Sequence, residues 1–301
     1  MPYLTDDIHD IVVQTVFDVI NYRVDVYNNY SIPVLDTMFS VLIHYFYRSS
    51  LAKNHAQIGW LQGFFATLVM GCGGGSTVAI LRGEPIGILK SNEFWVIHGV
   101  TYWLMFSNNQ FYRLVQLLFA IPPIEYAFLV SDGFLRAMAM LQFGVEGVEN
   151  TIGPHKYAAQ LISGCLAGIG GGFFMDAFQL HQHQWSFGTP QSLRVVSNEM
   201  KITFGTVIFY LASQQEFICE WVGEKVLTKP QAQAWSAILL TLGLIINSIV
   251  STNWHSKLSS FAFTSSTTPV IIQKNKNNSN NTSKTNKKNQ AKKKNQAKKL
   301  D

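Results

Sequence analysis

Gly71-Cys72-Gly73-Gly74-Gly75 and Gly168-Ile169-Gly170-Gly171-Gly172 decide how this chain is read. Each run places four glycines in five residues in the middle of a long apolar stretch, the second run 97 residues after the first. A glycine weakens a helix interior by roughly 0.8–1.0 kcal/mol against alanine, so helix propensity alone does not explain either run. In lipid, loosened backbone exposes N–H and C=O groups that hydrocarbon cannot satisfy, and it persists only where it is buried in protein or faces water. The pair predicts a duplicated membrane unit with an interrupted helix in each copy. For either run alone, close helix packing at small residues is the other reading.

Outward from the glycines, the apolar segments fall near 32–52, 58–81, 94–107, 111–142, 156–180, 202–218 and 231–252. A spanning helix needs about 20 apolar residues, and the count predicts seven spans, the third and sixth of them short. The fourth carries Pro122-Pro123 and reads as kinked or two-part, because proline removes a donor and clashes with the preceding turn. Superposing the glycine runs lays segment two on segment five. It also leaves His98-Gly99-Val100-Thr101-Tyr102-Trp103 beside Phe204-Gly205-Thr206-Val207-Ile208-Phe209. The expected fold is therefore an all-α membrane protein. Repeat one covers about 32–107, repeat two about 111–218, and a seventh helix follows at about 231–252. Three spans per repeat force the copies into opposite orientations, with a shared site near the midplane.

The whole-chain averages hide this pattern: mean hydropathy is only +0.12 and net charge is +5. From Lys274 to Asp301 there are ten lysines and one acid, leaving 13 basic and 17 acidic residues in the first 273. A stretch of that composition cannot bury enough apolar surface to offset its ordering entropy, so 253–301 is expected to be a disordered tail. Residues 1–31 carry Asp6, Asp7, Asp10, Asp18 and Asp25, which excludes a cleavable signal peptide and suits a non-cytoplasmic segment. Seven spans then put the lysine tail in the cytoplasm, where positive charge belongs. Its last residues, Lys298-Lys299-Leu300-Asp301, have the spacing of a dilysine retrieval signal of the endoplasmic reticulum. Cys72, Cys165 and Cys219 are odd in number and give no disulfide framework.

Charged residues at membrane depth are expensive and mark function or pairing. Arg136 lies in an apolar run, with Asp132 four residues before it on the same helix face, so it either serves a pore or lipid site or is held in a structural ion pair. Asp36 and Asp176 could supply oxygens to a cation path, and Asp36 could instead cap the first helix. Lys201 opens segment six as a snorkelling or pore-side lysine. His181 and His183 offer too few ligands for a metal. Neither a nucleophile–base pair nor a phosphate loop after a strand is present, which argues against an enzyme. No cofactor or nucleic-acid partner is implied by these residues.

Three local patterns resemble the trimeric intracellular cation (TRIC) channels, over roughly 31–252. Pro33-Val34-Leu35-Asp36 is similar to the family's P-V-F-D, and Leu81-Arg82-Gly83-Glu84-Pro85 to its L-x-G-E-P. Lys201-Ile202-Thr203-Phe204-Gly205-Thr206-Val207-Ile208-Phe209 looks like its K-V-T-L-x-G-S-V-I-F. The resemblance implies a homotrimer of the reticulum membrane with a pore in every protomer. Each pore would pass monovalent cations, chiefly potassium, as counter-ions to calcium release, with Gly71, Gly73, Gly74, Gly75, Gly168, Gly170, Gly171, Gly172 and Lys201 beside the path. It also implies a phosphoinositide held by a Lys and an Arg four apart. Arg136 matches that arginine, but Asp132 stands where the lysine belongs, and Ala167 stands where a basic residue precedes the second glycine run. Both departures weigh against the lipid. A secondary transporter, which shares the inverted-repeat signature, is the competing function, and a non-conducting scaffold is a third.

Overall fold

A computed structural model describes residues 2–27, 30–222 and 226–250. Contacts divide the chain into Met1–Ser265 and Ser266–Asp301, and the second unit lies wholly outside the described residues, as do the expected tail and its Lys298-Lys299 signal.

The chain begins with helix α1, Pro2–Ile20, and a hairpin of β1, Arg23–Tyr27, with β2, Tyr30–Pro33. The strands are antiparallel, with Val24 opposite Ile32 and Asp25 opposite Ser31. Pro2–Ile20, Arg23–Tyr27 and Tyr30–Pro33 are thus folded elements where the sequence promised only an acidic segment. Val12, Val16 and Ile20 recur at helical spacing, and Val16 is buried against the core of the second half. Trp235 Nε1 donates to His9 Nδ1 at 2.9 Å, fastening α1 to the last helix.

Seven further stretches follow the expected order. They are α2, Val34–Leu51; α3, Trp60–Leu81; α4, Asn92–Ser107; a long helix starting at Pro122; α8, Tyr157–Ala177; α9, Asn198–Ser213; and α11, Lys229–Val250. Between the halves sits α5, Asn109–Phe119, whose N-cap Asn108 accepts from the N–H groups of Gln110 and Phe111; a short α10, Glu216–Val222, precedes α11. The expected fourth segment, 111–142, is therefore split. Pro122 and Pro123 are the first residues of α6, Pro122–Met138, where a missing N–H is no loss and the fixed φ suits a helix start. They separate α5 from α6 instead of kinking one helix. From α6 the chain runs through a π-helical stretch, Ala139–Glu146, into α7, Gly147–Ile152.

Trp60–Leu81, Pro122–Ile152, Tyr157–Ala177 and Lys229–Val250 are each long and apolar enough to cross a membrane. The 16 residues of α4 and of α9 span about 24 Å, short of the roughly 30 Å hydrocarbon core.

There are two apolar cores, and the first draws on both halves of the chain. One gathers Leu42, Tyr45, Phe46, Tyr47 and Leu51 of α2 with Met105, Val115, Phe119 and Met175. The other gathers Ala137, Met140, Leu141, Val207, Tyr210, Leu240 and Leu244. Small residues let helices of the second half approach to backbone distance: a Cβ on Gly144 would lie 2.6 Å from Gly164 Cα, and one on Gly133 2.9 Å from Thr241 Cα.

Candidate functional site

The glycine runs do not interrupt their helices. Both α3 and α8 are continuous through them, and the glycines serve instead to let the two helices cross in backbone contact. A Cβ on Gly74 would land 2.5 Å from the carbonyl oxygens of Leu166 and Ala167. On Gly171 it would collide with the Met70 carbonyl, and on Gly170 with Gly74 Cα. At such separations Cα–H···O contacts and dispersion replace the side-chain packing that glycine gives up.

The contacts exchange under the 97-residue shift. Leu166 and Ala167, which crowd Gly74, correspond to Val69 and Met70, whose carbonyls crowd Gly171. Gly71 lies against Ile43 of α2, and Gly168 against Met140, the residue 97 positions after Ile43. Gly75 and Gly172 end their runs facing open space, with nothing within 4 Å of a Cβ. The crossing is thus locally two-fold.

That open space is a cavity of about 760 Å³ bounded by both runs. Of the residues singled out in the sequence, it brings together Gly71, Gly74, Gly75, Gly168, Gly171, Gly172, Asp36, Asp176, Asp132 and Arg136. Arg82, Glu84, Lys90, His98 and Glu199 join them on the wall. Five carboxyl groups therefore face three cationic side chains, a formal excess of two acids in a space walled by low-dielectric helices, where the field is focused.

Its central charges are paired. Arg136 reaches Asp132 bidentately, Nε to Oδ1 at 3.2 Å and Nη2 to Oδ2 at 2.5 Å, and its Nη1 lies 3.5 Å from Glu199 Oε2. Asp132 is 1% exposed, so the arginine is what makes a carboxylate tolerable at that depth. At the end of α3, Arg82 pairs with Glu84 at 2.6 Å and donates to the Phe143 carbonyl within the π-helical stretch. Gly147 leaves the room that this guanidinium occupies. Asp36 is the third residue of α2, whose N-cap is Pro33, so its carboxylate sits in the first turn near the positive end of the helix without capping it. Asp176 accepts the backbone N–H of Gln191, tying the loop before α9 to the end of α8.

Three of the predicted residues lie elsewhere. Gly170 is enclosed in the crossing. Gly73 faces an apolar groove of about 510 Å³ on another side of α3 and α8, among Phe65, Phe174, Phe178, Trp185 and Phe187. Lys201 is exposed on α9 and is not among the cavity's lining residues, although Glu199 and Met200 just before it are. His181 lies past the end of α8, where burial holds its imidazole below the usual range against the opposing pull of Asp176.

Glu199 is the residue that sequence reasoning missed. It stands in Ser197-Asn198-Glu199, where Ser197 Oγ accepts from Met200 N as the N-cap of α9. An acid in a first turn looks like an ordinary partner for the helix dipole, and the available signal was only its place two residues before Lys201. Arg82 and Glu84 were visible in the L-R-G-E-P stretch but carried no assigned role.

No family model matches the sequence, and no curated protein does either. Solved structures do match. One, described as the structural basis for activity of TRIC counter-ion channels in calcium release, is 16% identical with a TM-score of 0.56, covering 72% of this chain and 93% of that one. A trimeric intracellular cation channel from C. elegans in the absence of Ca2+ is 19% identical with a TM-score of 0.56, covering 81% and 99%. The same channel with bound Ca2+ is 14% identical at the same TM-score, covering 82% and 99%. The chain has the all-helical membrane fold of those channels.

Proposed function

We propose that this chain is a TRIC-type channel: a homotrimer of the endoplasmic reticulum membrane in which each protomer passes potassium as counter-ion to calcium release. One observation carries the reading, a glycine-walled cavity at the crossing of α3 and α8 in which carboxylates outnumber cations. A space with that excess concentrates cations and disfavours anions. The exchange of contacts under the 97-residue shift supports two inverted repeats of three spans, with α11 as the seventh. The reading includes the competing charges around Arg136: with Asp132 and Glu199 both on its guanidinium, little positive charge is left for a phosphoinositide headgroup, and the protein works without one. No chemical reaction is part of the reading.

The test is single-channel recording of purified trimers in planar bilayers with potassium on both sides. Potassium currents that fall when a methanethiosulfonate cation modifies Cys72, which lines the cavity, and that resist the reagent in Cys72→Ala, support the reading. Trimers that stay silent, or that show saturable uptake in vesicles in place of unitary currents, overturn it and favour the transporter.

A further inference from the structure

The β1–β2 hairpin is built with its faces reversed. Val24 lies opposite Ile32 across the ladder and Asp25 opposite Ser31. With a two-residue period, Tyr30 joins Val24 and Ile32 on one face, and Arg23 joins Asp25 and Ser31 on the other. Where a sheet borders water, its apolar face turns to the protein and its polar face outward. Here the polar face clasps the protein. Arg23 donates from Nε to Ser31 Oγ at 2.8 Å and holds both carboxylate oxygens of Glu93, in the first turn of α4. The apolar face is left open: Val24, Tyr30 and Ile32 are 45%, 77% and 42% exposed, and Val26, at the bulge between Asp25 and Tyr27, is 61% exposed. Among the described residues the sheet has only these two strands, and such a ribbon is marginal in water.

The hairpin's position says what covers it. Val34 N donates to the Tyr22 carbonyl at 3.1 Å, joining the base of the hairpin to the first residue of α2, while the latch to Glu93 sets it against the start of α4. These two helices have 18 and 16 residues and rise about 27 and 24 Å, against a hydrocarbon core about 30 Å thick. A short span leaves its missing level to a thinned bilayer or to flanking groups. Two residues of strand, at about 3.3 Å each, supply the roughly 6 Å that α4 lacks. The aromatic residues agree with that level. Tyr22 and Tyr30 are exposed, and so is Trp95 at the start of α4, and these residue types collect at the boundary between acyl chains and headgroups. A protein partner would bring a polar rim and hydrogen bonds, whereas Val24, Val26, Tyr30 and Ile32 offer a single hydroxyl. Acyl chains ask for none.

We propose that the β1–β2 hairpin is an interfacial wedge whose Val24, Val26, Tyr30 and Ile32 lie against the acyl chains of one phospholipid leaflet beside the starts of α2 and α4. The Arg23–Glu93 pair holds it at that depth, and the apolar face enters the boundary as an amphipathic anchor does. The wedge requires that α2 and α4 cross a membrane, and it does not require that they conduct.

The experiment places a nitroxide spin label on single cysteines, Val24→Cys, Ile32→Cys and Asp25→Cys, in full-length protein carrying Cys72→Ala, Cys165→Ala and Cys219→Ala. The protein is reconstituted in phosphatidylcholine vesicles, and collisions of the label with oxygen, which dissolves in acyl chains, are compared with those of a water-soluble nickel chelate. Expected is an oxygen-to-nickel ratio several-fold higher at Val24 and Ile32 than at Asp25. Equal ratios at the three positions place the apolar face in water and overturn the wedge. Labels at Val24 and Ile32 hidden from both reagents, with dipolar broadening between chains, show a second copy on the face and overturn it too. If the cysteine variants fail to assemble, wild-type protein in the same vesicles is photolabelled with a lipid-soluble diazirine. Label on the peptide spanning 22–32 supports the wedge, and an unlabelled peptide overturns it. Neither measurement reads ion flux, so a silent channel and a failed wedge are told apart.

Discussion

The two halves of the molecule agree where backbone meets backbone and disagree where charge is placed. Gly74 and Gly171 press on carbonyls 97 residues apart, and Gly75 and Gly172 open on the same space. Yet the positions 97 residues before Asp132 and Arg136 are Leu35 and Phe39. The first half has the regular 18-residue α2 where the second has 31 residues interrupted by a π-helical stretch. A duplicated scaffold thus tolerates no change at its contact points, because a Cβ there meets main chain that cannot move aside. Elsewhere each half is free to specialise, and the second took the ion pair.

Breaking the unequal part has the largest expected effect. Arg136→Ala leaves Asp132 buried without its partner, a change that costs about 3–5 kcal/mol; the detergent-solubilised protein should melt far below wild type, and Arg136→Ala with Asp132→Ala should recover part of the loss. The equal part comes next. Gly74→Ala and Gly171→Ala each force a methyl onto opposing carbonyls, for about 1–3 kcal/mol, and the two melting shifts should match; a shift in only one of them would show that the crossing is not two-fold. Gly75→Ala and Gly172→Ala meet open space, so helix propensity should stabilise each by about 0.8–1.0 kcal/mol; under the proposed channel function, the current should fall as the cavity narrows. Smallest of all is Lys201→Gln, an exposed change off the cavity wall, which should leave stability within about 0.5 kcal/mol of wild type.

What could be read from the chain was what apolar length and glycine record. Trp60–Leu81, Tyr157–Ala177 and Lys229–Val250 stand out because hydrocarbon thickness fixes how many apolar residues a span requires. The boundary at Pro122-Pro123 was harder, since the same two prolines mark a kink in one context and a helix start in another. Only the chain's departure after Phe119 decides between them. Helix α1 escaped notice because its acids drew more attention than the Val12-Val16-Ile20 stripe. At the site, the Asp132–Arg136 pair follows from spacing along one helix, whereas Glu199 reaches the same guanidinium across 63 residues of chain, a closeness that tertiary packing alone creates. The glycine helices were expected to be broken and are whole, because tight interhelical contact supplies the stabilisation that their propensity lacks.

The π-helical stretch Ala139–Glu146 also sets a phase. Each residue of an α-helix turns the chain by about 100°, and a π segment holds extra chain within the same number of turns. Removing one residue from that stretch would restore a plain α-helix and leave Pro122–Met138 close to its present phase against Gly147–Ile152. Removing one from the regular turn between Arg136 and Ala139 has no such slack to draw on and would rotate Asp132 and Arg136 by about that angle, away from the cavity they line. The π-helical stretch is thus a store of spare chain that can lose a residue without re-aiming the charges of the site.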